Sequence, residues 1–224
     1  MYSELTGICH EKVKCDPFLV LFDAQTITDA QLEKLESILP PYRVKYAERY
    51  RKREDRVNSM VAFAMLAYLL KTCYHTQLPQ TEHRNAYGKP LLDAPLQMSI
   101  SHCSCAVCCA VASGEVGVDV QELVTDCSGI AELVLSGSQY ETYCASDAPE
   151  RCFTEFWTQK EAYLKLQGTG LTDDLSQIDP MICAGSLQHK TVWYDNICIS
   201  TCSENPLEHR IITVNELRAV LQRS

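Results

Sequence analysis

Two stretches of the chain carry residue types whose spacing suits chemistry. Phe153 to Lys165, FTEFWTQKEAYLK, sets Trp157, Glu161 and Lys165 at i, i+4 and i+8, which stacks them along one side of a helix. Val116 to Gln121, VGVDVQ, alternates as a strand does, with Val116, Val118 and Val120 on one face and Gly117, Asp119 and Gln121 on the other. If strand and helix face each other, two carboxylates converge beside an ammonium group. Carboxylate oxygens suit Mg²⁺, which keeps several waters and shares its shell with substrate phosphates. Such a set fits metal-assisted phosphoryl transfer, where positioning and charge stabilisation do most of the work and a carboxylate accepts the nucleophile's proton. The plainer alternative is a Glu161–Lys165 surface pair worth about 0.3–0.5 kcal/mol, beside a satisfied strand aspartate.

A phosphate substrate needs cations. From Arg43 to Arg56 there are seven basic residues (Arg43, Lys45, Arg49, Arg51, Lys52, Arg53, Arg56) against Glu48, Glu54 and Asp55. Charge runs are most often solvated helical faces; the sharper reading is an anion landing site. Val57 to Leu70 follows as an apolar helix, with Met60, Phe63, Ala64, Ala67 and Leu70 on connected faces, so the basic segment is rigidly backed. Asn85 to Pro90, NAYGKP, reads as a turn that displays Lys89, because Gly88 permits unusual backbone angles and Pro90 keeps its predecessor out of a helix.

The whole chain bounds these readings. At 224 residues and 46% hydrophobic content, it is long enough to bury roughly 70% of its unfolded surface. Its net charge of -9 argues against nonspecific nucleic-acid binding by the molecule as a whole. Thirteen cysteines would suggest a disulfide framework in a secreted mini-protein. The opening MYSELTGICHEKVKCD has no apolar signal-peptide core, and the longest apolar run, Val61 to Leu70, is too short to span a bilayer. The expectation is a cytoplasmic protein with no membrane partner and reduced thiols packed as small hydrophobes.

The elements that must position the chemistry follow from periodicity and breakers. Phe18 to Phe22 reads as a buried strand, and Thr28 as the N-cap of a helix through Gln31, Leu32, Leu35 and Leu39 that Pro40–Pro41 ends. Met98–His102, Ala106–Ala112 and Val116–Gln121 read as a three-stranded meander, its last two strands joined tightly through Ser113-Gly114-Glu115. Ser128–Leu135 and Ser138–Cys144 are short helices, and Gly168-Thr169-Gly170 ends the helix of Glu161. Thr191–Tyr194 and Ile197–Ser200 are β-rich, and Asn215 is placed to cap a last helix through Leu217 and Val220. Helices and strands in this order indicate an α+β protein.

GVDVQ, followed about forty residues later by FWTQKEAYLK, resembles the paired signature of the 4'-phosphopantetheinyl transferases, a GxDxE-type strand and a WxxKExxxK helix. Asn85–Pro90 resembles that family's GKP element, and MSISH, Met98–His102, its (N/S)xSHS element. The order and spacing are similar to those of the longer, surfactin-synthetase-activating type over nearly the whole chain. The resemblance implies a monomeric α+β fold of two similar halves related by a pseudo-twofold, each with a small antiparallel sheet. The halves would be residues 1–112, with the basic segment, and 113–224, with the magnesium site; coenzyme A would bind in the cleft between them.

The implied reaction is Mg²⁺-dependent transfer of 4'-phosphopantetheine from coenzyme A to a serine of an apo acyl or peptidyl carrier protein, releasing adenosine 3',5'-bisphosphate. Carried over by position, the resemblance makes Asp119 and Glu161 magnesium ligands. It makes Lys165 the lysine that contacts the phosphates and assists the leaving group, and the lack of an acid at Gln121 makes Glu161 the better candidate for general base. Arg43, Ser59, Lys89, Pro90, Ser101, His102, Asp119 and Lys165 match positions around coenzyme A, His102 near its 3'-phosphate. Gln121 stands where many members have a third carboxylate; its amide oxygen can bind the metal or orient a metal-bound water, but it brings no charge. The short helices occupy the carrier-contacting region, with Leu133, Val134 and Leu135 as the apolar contact or as ordinary core.

Two other readings compete. Cys103, Cys105, Cys108 and Cys109 invite a metal or redox site, but strand alternation would send the four sulfurs to opposite faces. The basic segment would also serve a noncatalytic anion- or RNA-binding module, although no aromatic stacking pattern of the RNA-binding kind accompanies it.

Overall fold

The computed structural model describes residues 15–81, 83–92, 95–170, 174–183 and 185–221. The N-terminal stretch 1–14, on which the targeting expectation rests, lies outside the described residues. β1 (Asp16–Phe22) is followed by α1 (Asp29–Glu36), which Thr28 opens as expected. The Thr28 hydroxyl accepts from the Gln31 N–H, and the Gln31 side-chain oxygen accepts from the Thr28 N–H, satisfying two otherwise orphaned donors. α1 stops short of Leu39, and the second proline of Pro40–Pro41 does not end it but opens α2 (Pro41–Ala47). A first-turn position has no intrahelical acceptor for its N–H, so proline costs nothing there. α3 (Arg53–Cys73) starts four residues before the predicted apolar run and is buried along most of its length.

β2 (His83–Arg84) and β3 (Pro90–Leu91) flank the Asn85–Lys89 turn. β4 (Gln97–His102), β5 (Ala106–Ala112) and β6 (Val116–Glu122) come next. They lead to α4 (Ser128–Val134), α5 (Gly137–Ala145) and α6 (Pro149–Gln167). The chain ends with α7 (Pro180–Cys183), β7 (Gln188–Tyr194), β8 (Ile197–Ser203), β9 (Leu207–Ile211) and α8 (Val214–Leu221). α8 is capped by Thr213 and not by Asn215: the Thr213 hydroxyl accepts from Glu216 N, while the Glu216 carboxylate accepts from Thr213 N.

The strands form two main sheets, β4-β5-β1-β9 and β6-β8-β7. The expected meander therefore breaks after β5. β4 and β5 pair as predicted, but the other edge of β5 is taken by β1, with Phe18 opposite Ala110. Both ladders of β5 being full, β6 crosses to the second sheet and pairs with β8, Asp119 opposite Ser200. β9 returns to the first sheet, parallel to β1.

Period-two alternation in β1 and β5 explains the layering. Leu19, Leu21, Cys109 and Val111 face α3, whereas Phe18, Val20, Cys108 and Ala110 meet Val116, Val118, Val120 and Ile199 of the second sheet. The other face of that sheet packs on α6, where Ala162 and Leu166 meet Cys202. The result is an α+β protein layered helix, sheet, sheet, helix. α3 and α6 are its outer supports: α3 begins with Arg53 and Arg56, the end of the basic segment whose Arg43 and Lys45 lie on α2, and α6 carries the Glu161 motif.

Candidate active site

Gly117 sets the distance between β6 and α6. A Cβ on it would lie 1.8 Å from the Ala162 carbonyl oxygen and 2.5 Å from the Leu166 nitrogen, so only glycine lets the strand lie directly on the helix backbone. Two residues along the same face, Asp119 is buried, with 5% of its surface exposed. Its Oδ1 accepts from the Lys165 ammonium at 2.5 Å and from the Ser101 hydroxyl at 2.7 Å. Lys165 Nζ also donates to Ser101 Oγ at 2.8 Å. On β4, Ser99 accepts from the Val118 N–H at 2.9 Å, so alternate serines of the MSISH stretch stitch the first sheet to the second beside the aspartate.

Lys165 thus pairs with Asp119 across the strand–helix contact, not with Glu161 along its own helix as the plainer sequence reading had it. Burial pulls the ammonium's pKa down, but the Asp119 charge and hydrogen bond, helped by Glu161, raise it overall. Glu161 is pushed above the ordinary glutamate range by burial and by the Asp119 charge, with Lys165 opposing. Two carboxylates, the Asp119 charge opposing ionisation of Glu161, form a donor set that a divalent cation would relieve.

Glu161 and Lys165 line a cavity of about 350 Å³ whose wall also includes Arg43, Ser59, Lys89, Pro90 and His102, a size within the range of small-molecule sites. Arg43 reaches it from α2 and is only 4% exposed. Its guanidinium lies 4.4 Å from the centre of the Tyr46 ring and 3.8 Å from that of Phe63, and it donates to the Ser59 hydroxyl. These contacts hold a cation in place where water is scarce. His102 is depressed below the usual histidine value by burial and by Lys165, with Arg43 adding to this and Asp55 and Asp119 opposing.

Lys89 is not displayed as the turn composition suggested. The Asn85 side chain accepts from the Tyr87 and Lys89 N–H groups at 2.9 Å and donates to the Gly168 carbonyl at 2.8 Å. The turn is thereby docked on the C-terminus of α6, where Gly168 takes a left-handed φ of 68°. Lys89 Nζ donates to the Leu166 carbonyl at 3.1 Å and lies 3.6 Å from Glu115. Burial lowers its pKa and Glu115 partly restores it.

The family described as the 4'-phosphopantetheinyl transferase superfamily matches residues 115–214, the segment that holds β6 and α6. This segment of the chain is similar to that superfamily. It is 26% identical over 153 residues to the 4'-phosphopantetheinyl transferase Sfp of Bacillus subtilis strain 168, covering 65% of this chain and 67% of that protein. It is 26% identical over 151 residues to psf-1 of Bacillus pumilus, 65% of each chain, and 33% identical over 90 residues to gsp of Aneurinibacillus migulanus, 39% of this chain and 38% of that one. The chain thus spans about two thirds of the length of the first two relatives.

The remaining expected site residues divide plainly. Ser101 and Asp119 are reached through Lys165. Gln121 lies two residues beyond Asp119 and is partly exposed, outside the set of residues lining the cavity. Of the expected carrier contact, Val134 (7% exposed) and Leu135 (2%) are buried against Phe153, so they are core; Leu133 is 72% exposed. Lys160, inside the WxxKExxxK pattern, turns away from Glu161 and donates to the carbonyls of Leu175 and Ile178. The sequence reading passed over Tyr46 and Arg84, which line the cavity with the Arg84 guanidinium 5.3 Å from the Tyr46 ring. An aromatic within the basic segment was the signal available for them. Arg53 and Arg56 are tied to Asp29 and Glu36, which withdraws much of the basic segment from any RNA-binding face.

Proposed function

We propose that this protein transfers the 4'-phosphopantetheine group of coenzyme A to a serine hydroxyl of an apo acyl or peptidyl carrier protein. The observation that carries the reading is the Asp119–Lys165–Ser101 cluster, with Glu161 beside it, at a cavity walled by Arg43, Lys89 and His102. Arg43, Ser59, Lys89, Pro90 and His102 hold the nucleotide part of coenzyme A, the cations taking its phosphates. Asp119 and Glu161 would hold Mg²⁺, with Gln121 contributing an amide oxygen directly or through water; carboxylate oxygens suit that ion. Bound there, Mg²⁺ neutralises charge on the pyrophosphate.

The serine oxygen attacks the β-phosphorus, and the bond from that phosphorus to the bridging oxygen breaks, so that adenosine 3',5'-bisphosphate leaves. Glu161, beside the attacking hydroxyl at the cavity wall, accepts the serine proton. Lys165, kept charged by Asp119, donates to the phosphate oxygens as charge moves onto the leaving group. The same reading takes residues 1–112 and 113–224 as two similar halves around the coenzyme A cleft, in a monomer acting in the cytoplasm. Leu133, exposed on α4, contacts the carrier.

The test is to incubate the protein with coenzyme A, Mg²⁺ and a panel of apo carrier proteins and weigh each carrier intact. A mass gain of one phosphopantetheine arm, dependent on Mg²⁺, supports the reading; no gain with any carrier refutes it.

A further inference from the structure

The four clustered cysteines part company as strand alternation requires. Cys108 faces the second sheet and Cys109 faces α3, both fully buried. Cys103 and Cys105 do not follow them. They sit in the turn between β4 and β5, closed by a hydrogen bond from Cys103 N to the Ala106 carbonyl, and their sulfurs lie 4.0 Å apart as free thiols. Glu122, the last residue of β6, reaches the same point, with Oε1 3.0 Å from Cys105 Sγ. The three ligand atoms all lie within 4.8 Å of one another.

We infer that Cys103, Cys105 and Glu122 form a binding site for one zinc-like divalent cation, separate from the carboxylate site at Asp119 and Glu161. Zinc binds thiolate at about 2.3 Å, so two thiolates on one tetrahedral ion stand about 3.8 Å apart, close to the observed sulfur separation. The carboxylate, now hydrogen-bonded to Cys105, withdraws by about half an ångström to share the ion. Thiolate donors exclude Mg²⁺ in favour of softer ions. The turn is already fixed from outside: Asn58 of α3 donates to the Cys103 carbonyl at 2.8 Å, Gln25 donates to Asn58 at 2.9 Å, and Asp23 N donates to the Cys105 carbonyl at 2.7 Å. Such outer contacts orient metal ligands before the ion arrives.

The ion would also have a structural consequence. Two ligands belong to the first sheet's turn and the third to the second sheet, so binding clips the sheets together one residue from His102. A fourth position remains for water, or for Ser104, whose hydroxyl already donates to Glu122. Burial raises the Cys103 thiol, and burial with the neighbouring carboxylate pushes Cys105 up to about 12. Metal binding must therefore release two protons, and it tightens steeply as pH rises.

The experiment titrates the reduced full chain with Zn²⁺ by equilibrium dialysis in excess Mg²⁺ and maps iodoacetamide labelling by mass spectrometry. One equivalent should bind at micromolar zinc and protect Cys103 and Cys105, while exposed Cys144 still labels. Cys105→Ser should weaken binding by more than the ~10–100-fold that outer-shell changes cost, and Glu122→Gln by about tenfold. The inference is overturned by no stoichiometric binding, or by zinc that leaves Cys103 and Cys105 as reactive as before. Undiminished binding in Cys103→Ser/Cys105→Ser would overturn it too. The wild-type labelling decides the matter even if a variant fails to fold.

Discussion

Gly117→Ala removes no group that touches a substrate, yet it should damage both stability and activity. The new methyl would sit 1.8 Å from the Ala162 carbonyl oxygen, where side-chain carbons essentially never come closer than 3.0 Å. The obstacle is helix backbone, which cannot rotate aside, so β6 and α6 must separate by about 1 Å. Overpacking of this kind costs about 1–3 kcal/mol, and more against rigid backbone. For a chain of this size a 3 kcal/mol loss lowers Tm by roughly 6–12 °C. The separation also pulls Asp119 from Lys165 and Glu161, and a misplacement of about 1 Å in catalytic geometry costs on the order of 100-fold in rate. Thermal unfolding and carrier-mass assays on the same preparation measure both. A variant with Tm within about 2 °C of wild type and undiminished transfer would refute the claim that Gly117 sets the strand–helix distance.

Glu161→Gln should abolish transfer while Gln121→Ala only weakens it or its Mg²⁺ dependence; equal losses in intact-mass assays would mean that Gln121 is a full ligand. Because burial and Asp119 raise Glu161, the folded chain holds a proton that the unfolded chain has lost. Between those two pKa values its contribution to stability therefore falls as pH rises. Glu161→Gln in Mg²⁺-free buffer should thus gain stability over wild type as pH increases, read from urea midpoints; a gap independent of pH would contradict this. His102, held low by burial and Lys165, becomes cationic only in acid, so His102→Ala should raise the KM for coenzyme A by about tenfold, most strongly at low pH. Leu133→Asp should raise the KM for the carrier by about tenfold and leave that for coenzyme A unchanged; parallel changes would move Leu133 out of the docking surface.

Local signals were legible in the sequence and pairing partners were not. The Thr28 N-cap, the β4–β5 hairpin, the two short helices after β6 and the glycine end of α6 depend on residues within a few positions of one another, so composition reveals them. The meander failed because a strand's neighbour depends on which edges are already full, and β1, some ninety residues earlier, had filled the edge of β5. Proline misled for a related reason. Pro40–Pro41 breaks a continuing helix and opens a new one equally well, and only the next turn decides which.

Site residues divide along the same line. Asp119, Glu161 and Lys165 were identifiable because their side follows from period 2 and period 3.6, but the pairing of Lys165 with Asp119 depends on a contact fixed by Gly117. The basic segment illustrates the limit most clearly. A count of charges treats Arg43, Arg53 and Arg56 alike, while the fold assigns them opposite duties. Arg53 and Arg56 neutralise Asp29 and Glu36 on neighbouring α1, where exposed pairs contribute little. Arg43 is sealed between Tyr46 and Phe63 at the cavity wall, where a charge interacts far more strongly than in open water. In a chain of net charge -9, an anionic substrate is therefore held by where a few cations are buried and not by the overall electrostatic balance. Charge reversal at Arg53 should accordingly leave coenzyme A binding nearly intact, whereas the same change at Arg43 removes a buried partner for phosphate.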